Sequence, residues 1–250
     1  NILPPKRRQN VEVGLEYARR GSQRAMARRR LDNTLLGRLF LLEAEAHNDL
    51  GESDRALPRV REALELVPSL PGAEHELAVS LFNLAQFDES KEVFLNVLGQ
   101  EAGNPYAHQH LGLLYEHSKQ PDKAESHFAQ ARRLAPDEFF APVILEAGEF
   151  RAEVLKAVAE LPPNLAKLMT ECELEIADVP EEQDLRASSP PFAATILGLF
   201  RGLPAGVEYE AIEGGAKIEI PPRALVLYRK NLGRAVRTRS ELNQQIRKTL

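Results

Sequence analysis

Three consecutive stretches of this chain align at one fixed period of 34 residues, beginning at Gly37, Pro71 and Pro105. A repeat of that length leaves few architectures open, because each unit is too small to bury its own apolar face and must stack on its neighbours. The third unit, PYAHQHLGLLYEHSKQPDKAESHFAQARRLAPDE, is the fullest, with Leu111, Gly112, Tyr115, Ala124, Phe128, Ala131 and Pro136 at fixed offsets. The second unit supplies Leu77, Ala78, Leu81, Ser90, Phe94 and Val97 at those offsets. The first supplies Ala44, His47, Ala56, Val60, Ala63 and Pro68.

Residue size follows the same period. Small residues at Ala44, Ala78 and Gly112 let the two helices of a unit approach closely, as do Ala56, Ser90 and Ala124 on the second helix. Phe94 and Phe128 fill the gaps between units, and Pro68 and Pro136 stop the second helices because proline cannot continue the hydrogen-bond ladder. Pro58 falls near the start of a second helix, where only the first turn tolerates it, so that helix is expected to begin late.

Spacing and size together resemble the tetratricopeptide (TPR) family over residues 37–138. The resemblance implies a TPR α-solenoid of three repeats that binds a protein or peptide on the surface lined by the first helix of each repeat. The lining would comprise Leu41, Glu45, Asn48, His75, Val79, Phe82, Gln109, Leu113 and Glu116. The family's best-known clamp holds a C-terminal carboxylate with Lys and Asn. Its slots hold Leu41, His75 and Gln109, then Glu45, Val79 and Leu113, so that clamp is absent. An acidic, partly apolar groove is expected to take another ligand, or to make a contact within the same protein.

Charge and composition narrow the partners. The net charge of −5 hides basic ends: residues 1–30 carry nine Lys/Arg against two Glu, and residues 229–250 carry seven against one. The stretch RRGSQRAMARRR holds no aromatic residue for base stacking, so residues 1–36 read as a basic helical lead-in, solvated or paired within the molecule, rather than a nucleic-acid surface. No apolar run approaches the roughly 18 residues of a membrane span, and NILPPKRRQN has no apolar core of a signal peptide. The lone Cys172 excludes an intramolecular disulfide and fits a reducing, cytoplasmic setting. All six histidines (His47, His75, His108, His110, His117 and His127) lie in the repeats and read as surface or packing residues, with no converging metal set.

After residue 138 the period is lost. EFRAEVLKAVAELPPNLAKLM reads as a helix ending near Leu161 and a short helix beyond it, and CELEIADVP alternates as a strand. EEQDLRASSPP reads as a loop, FAATILGLFRGLP as an apolar helix, and VEYEAIEGGAKIEI as two short strands about Gly-Gly. ALVLYRKNL is a β-rich run leading into helical GRAV. Thr238 and Glu241 then form a capping box for a last helix whose Leu242, Ile246 and Leu250 share one face. Residues 148–250 are therefore expected to be α+β, and no nucleophile elbow, phosphate loop or Cys/His cluster lies within them.

The order of these elements resembles the small bacterial zincin-like metallopeptidases. Phe150, Val154, Ala157, Leu161 and Pro162 match an opening helix; Leu174, Ile176, Asp178, Val179 and Pro180 match a first strand and its exit. ILGLFRGLP is similar to a distinctive LLGLYxGxP segment, and ALVLYRKNL to an ITLYRRPI strand, which implies that residues 225–228 form part of the sheet beside the cleft. ELNQQIRKTL is similar to the start of the active-site helix, which in that family continues into H-E-x-x-H. There two histidines one turn apart bind zinc, and the glutamate polarises the metal-bound water. None of those residues is in this chain, so the resemblance assigns no catalytic and no metal residue here; zinc is expected only in the intact protein, and residues 1–250 alone are expected to be inactive. Two functions remain open from sequence: a TPR-containing zinc metallopeptidase, or a non-catalytic TPR adaptor with an inert α+β domain.

Overall fold

The structure, a computed structural model, describes residues 4–27, 32–170, 172–202 and 223–250. In chain order the helices α1 (Pro5–Met26), α2 (Asn33–Leu50), α3 (Ser53–Leu66), α4 (Ala73–Asn83), α5 (Phe87–Gln100), α6 (Pro105–His117) and α7 (Pro121–Leu134) come first. Then follow α8 (Ala147–Ala159), α9 (Pro163–Thr170), β1 (Glu173–Ala177) and α10 (Glu182–Leu185). The last are β2 (Gly198–Arg201), β3 (Ala224–Tyr228), α11 (Arg229–Arg234) and α12 (Arg239–Thr249). Chain contacts divide these into two compact units, residues 1–139 with 181–194, and residues 140–180 with 195–250.

The first unit is a TPR-like α-solenoid in which α2/α3, α4/α5 and α6/α7 are the three repeat pairs. Ala44, Ala56, Val60 and Ala63 are fully buried in the first pair, and Phe94 and Leu111 between the second and third. In the second pair the buried Ser90 hydroxyl donates to the Ala78 carbonyl at 2.8 Å, so its polar atom is satisfied where its neighbours use alanine. Caps mark the starts. Asp32 accepts from the Leu35 amide, which opens α2 ahead of the repeat boundary at Gly37, and Asn104 accepts from the Ala107 amide with Pro105 in the first turn.

Two local expectations change. Helix α3 does not begin late: it starts at Ser53 and carries Pro58 in its interior. Pro58 and Asp54, whose carbonyl loses its partner, both stand on the exposed face, where solvent has access to that carbonyl. The EEQDLRASSPP stretch contains the helical turn α10, which buries Leu185, and Arg186 donates to the Ala85 carbonyl at 3.0 Å.

The basic lead-in is α1, and it is paired within the molecule. It buries Leu15, Ala18 and Ser22 against α2; Ser22 donates to Glu43 at 2.6 Å, and Arg19 bonds the His47 ring at 3.0 Å. Arg8 and Arg20 pair along the helix with Glu12 and Glu16. Glu43, almost fully buried, also lies 3.5 Å from Arg59 of α3, so one carboxylate ties three helices.

The second unit is α+β. Its sheet has the order β1-β3-β2, with β1 parallel and β2 antiparallel to the central β3. The apolar FAATILGLFRGLP run is not a helix: residues 198–201 form edge strand β2, because a short apolar run has no period of its own and pairing with β3 decides its state. Gly198 is required there, since a Cβ would lie 2.9 Å from the Val226 carbonyl oxygen and 3.1 Å from Thr249 of α12. Phe150 and Val154 of α8, Leu227 of β3, Leu232 of α11, and Leu242 and Ile246 of α12 make one core. Thr238 accepts from the Glu241 amide, and the Glu241 carboxylate answers at the Arg237 amide, one residue before the cap. The expected hairpin VEYEAIEGGAKIEI lies outside the described residues.

At Gly112 of the third repeat, a Cβ would lie 2.5 Å from the ring of Phe128, which is buried on α7. Gly112→Ala is expected to cost about 1–3 kcal/mol through overpacking, with Phe128→Leu restoring part of it. Denaturant unfolding of the single and double variants checks this, and an unchanged midpoint in Gly112→Ala would contradict the close approach.

Candidate functional site

The nine residues expected to line the first-helix surface do not form one uniform lining. Leu41, Phe82 and Leu113 are buried in the repeat core, while Glu45, Asn48, His75, Val79, Gln109 and Glu116 are half-buried. Asn48 is committed to a bridge between repeats. Its amide donates to Glu76 Oε2 at 2.9 Å and to Ser80 at 3.0 Å, its oxygen accepts from Ser53 at 2.9 Å, and Ser53 in turn accepts from Asn83. His75 and Phe82 belong to a ring cluster. His75 meets Phe94, Tyr106 and His110 edge-on, and His110 stacks on Phe94 with centroids 4.8 Å apart.

The histidines behave as packing groups. Burial pushes His110 down to about 4, against the opposing bond to the Tyr106 carbonyl, and the neighbouring His75 pushes the same way. His108 and His127 meet Nδ1 to Nδ1 at 2.9 Å with ring centres 5.1 Å apart. The two nitrogens therefore lie nearly on the line between the rings, as in a head-on N–H···N bond, which needs at least one neutral ring.

What the repeats do bring together is a group of carboxylates. Glu45 and Asp49 lie one turn apart on α2, and Glu76 of α4 feels both charges across the bridge made by Asn48. Burial pushes the Glu76 carboxyl up to about 7; the Asn48 bond opposes this, and Glu45 and Asp49 add to it. Burial and Asp49 raise Glu45 as well. Asp49 and Glu76 were missed from sequence because neither occupies a slot at which the repeat family holds ligand. Beside them a cavity of about 430 Å3 opens between α1 and α2, with Val11, Tyr17, Leu39 and Leu42 on its walls and Glu45 and Asp49 at its edge.

In the second unit a cavity of about 480 Å3 lies among α9, β2, β3 and the end of α12, lined by Leu165, Leu168, Phe200, Leu225, Thr249 and Leu250. Strand β3, expected to form part of the sheet beside the cleft, is central in that sheet, and its Leu225 lines the cavity together with Phe200 of β2. Burial would raise the Asp178 carboxyl at the exit of β1, but bonds from Arg229 and Lys230 prevail and hold it low, fixing that exit against α11.

Among the described residues no group of three His, Cys, Asp or Glu side chains could hold a metal ion, and no helix is long and apolar enough to cross a membrane.

Two parts of the chain are similar to known families. Residues 105–138 match the family profile described as tetratricopeptide repeat, and residues 169–250 match that described as zincin-like metallopeptidase. Similar solved structures include MamA MSR-1, at 22% identity over 52% of this chain and 70% of that one, with a TM-score of 0.41. They also include YrrB, described as a TPR protein with an unusual peptide-binding site, at 25% identity over 51% and 66%, with a TM-score of 0.41. No curated protein matches the chain significantly.

Glu76 gives the first unit a measurable signature. Its folded carboxyl binds a proton up to about pH 7, whereas the unfolded chain releases it near 4.5. The stabilisation from this group is therefore complete below pH 4.5 and is lost as pH rises through 7, by about 3 kcal/mol. Thermal unfolding across pH 4.5–8 should show this slope in the parent chain and a flatter one in Glu76→Gln. Equal slopes would show that Glu76 is ionised at no cost.

Proposed function

We propose that this chain is the recruiting and scaffolding part of a zinc metallopeptidase, in which residues 37–138 hold a protein or peptide and the α+β domain at 148–250 supports peptide-bond hydrolysis. The observation that carries this reading is the zincin-like match over residues 169–250, joined to the placement of α12. That helix buries Leu242 and Ile246 in the core shared with β3, and its end borders the cavity beside edge strand β2. A helix anchored by one face against a sheet can carry functional groups on its continuation with little freedom to move, which is what a preorganised site needs.

The described residues do not fit zinc. All histidines of residues 1–250 lie in the repeats, and no three-ligand group exists among the described residues. No step is therefore assigned to any side chain here. The single Cys172 fits a cytoplasmic setting for the whole protein.

Metal analysis and a peptidase assay on the product of the complete gene, beside residues 1–250 alone, test the proposal. The complete product is expected to hold one zinc per chain and to hydrolyse peptides until a chelator is added, and residues 1–250 to do neither. A zinc-free, chelator-insensitive product that still binds its partner would replace the peptidase with an adaptor.

A further inference from the structure

We propose that the cavity between α1 and α2 receives a lysine or arginine side chain of an extended peptide, a proposal that rests on the recruiting role given above to the repeats. Three observations point there.

The first is a place to enter. The cavity of about 430 Å3 is open, Tyr17 and Leu42 on its walls are 71% and 51% exposed, and a Cβ added at its Gly14 would meet nothing within 4 Å. The second is uncompensated charge. Glu45 and Asp49 line the cavity one turn apart on α2, and among the described residues neither has a basic partner. Other carboxylates of the same unit are paired, Glu43 and Glu62 with Arg59 and Glu52 with Arg55. The third is that, among the described residues, no cation of the adjacent helix α1 pairs with these two carboxylates. Arg8 and Arg20 of α1 engage Glu12 and Glu16, and Arg19 engages His47.

The chemistry selects the occupant. A long basic side chain lays its methylene stem on apolar walls and presents its charge at the end. Val11, Leu39 and Leu42 suit the stem, the Tyr17 ring offers a face to a cation, and the carboxylates accept its hydrogen bonds. A neutral apolar side chain would strip water from the carboxylates without replacing it, and an acidic one would be repelled.

Fluorescence anisotropy with fluorescein-labelled decapeptides of alternating Arg and Leu tests this on residues 1–250. Companion peptides carry Gln or Glu in place of Arg. The Arg peptide is expected to bind, the Gln peptide to bind roughly ten-fold or more weakly, and the Glu peptide not at all. The double variant Glu45→Gln/Asp49→Asn should lose the Arg-over-Gln preference with an unchanged far-UV spectrum. Gly14→Leu, which projects into open space, should weaken the Arg peptide without lowering the melting temperature. Equal binding of the Arg and Gln peptides overturns the charge selection while leaving recruitment intact, whereas binding of none of them removes recruitment as well. An Arg preference that survives in the double variant places the cation elsewhere and overturns the site. A concentration-dependent dimer that the double variant abolishes gives the cavity to a second copy of the chain and overturns the peptide.

Discussion

Close approach of two helices within each repeat is the constraint on which the first unit depends. Small residues stand on both helices of each pair, Ala44 and Ala56 in the first, Ala78 and Ser90 in the second, Gly112 and Ala124 in the third, and all six are buried. Because the backbones lie so near one another, Phe94 and Phe128 can reach across and fill the space that remains. Polar bonds then fix the register between repeats: Asn48 reaches Glu76 and Ser80, and Asn83 reaches Ser53. Apolar stacking supplies the bulk of the stabilisation, and these directional bonds select one arrangement of neighbouring repeats.

That division explains which parts of the molecule could be read from sequence. The repeat is legible because size at a fixed offset is a one-dimensional signal, so Ala44, Ala78 and Gly112 announce themselves without coordinates. Helix α12 is legible for a similar reason, its cap at Thr238 and its Leu242/Ile246 face both being local. Strand β2 is not, because Gly198–Arg201 becomes a strand only through β3, which lies more than twenty residues away in sequence. Pro58 misleads in the opposite direction. The local rule against interior proline is sound, yet on the exposed face of α3 solvent has access to the carbonyl that loses its bond.

The candidate groove shows the same limit in electrostatic form. Glu45 was legible as a lining residue because it occupies a family slot. Its coupling to Glu76 was not, because that depends on α2 and α4 lying side by side and on Asn48 turning its amide towards the carboxylate. Sequence named Asn48 as a ligand-binding residue, whereas its hydrogen-bonding capacity is spent within the protein. A residue type at the right offset specifies where a side chain begins, and neighbouring repeats decide what it has left to offer.

The histidines carry that logic to the question of chemistry. Six imidazoles in one unit invite a metal, but their environments have used them otherwise. His110 is held neutral by burial between rings, and His47 bonds Arg19 on one nitrogen and Glu52 on the other. His108 and His127 bond each other. Freeing any of these for a metal would break a contact that holds two helices together, so metal binding within the repeats would work against their packing. The second unit has the opposite character: it has no histidine at all, and it has an anchored helix and an open apolar cavity beside an edge strand. The imidazoles of the repeats are thus spent on packing, and the cavity of the second unit is walled mainly by apolar side chains such as Leu165, Leu168, Phe200 and Leu225.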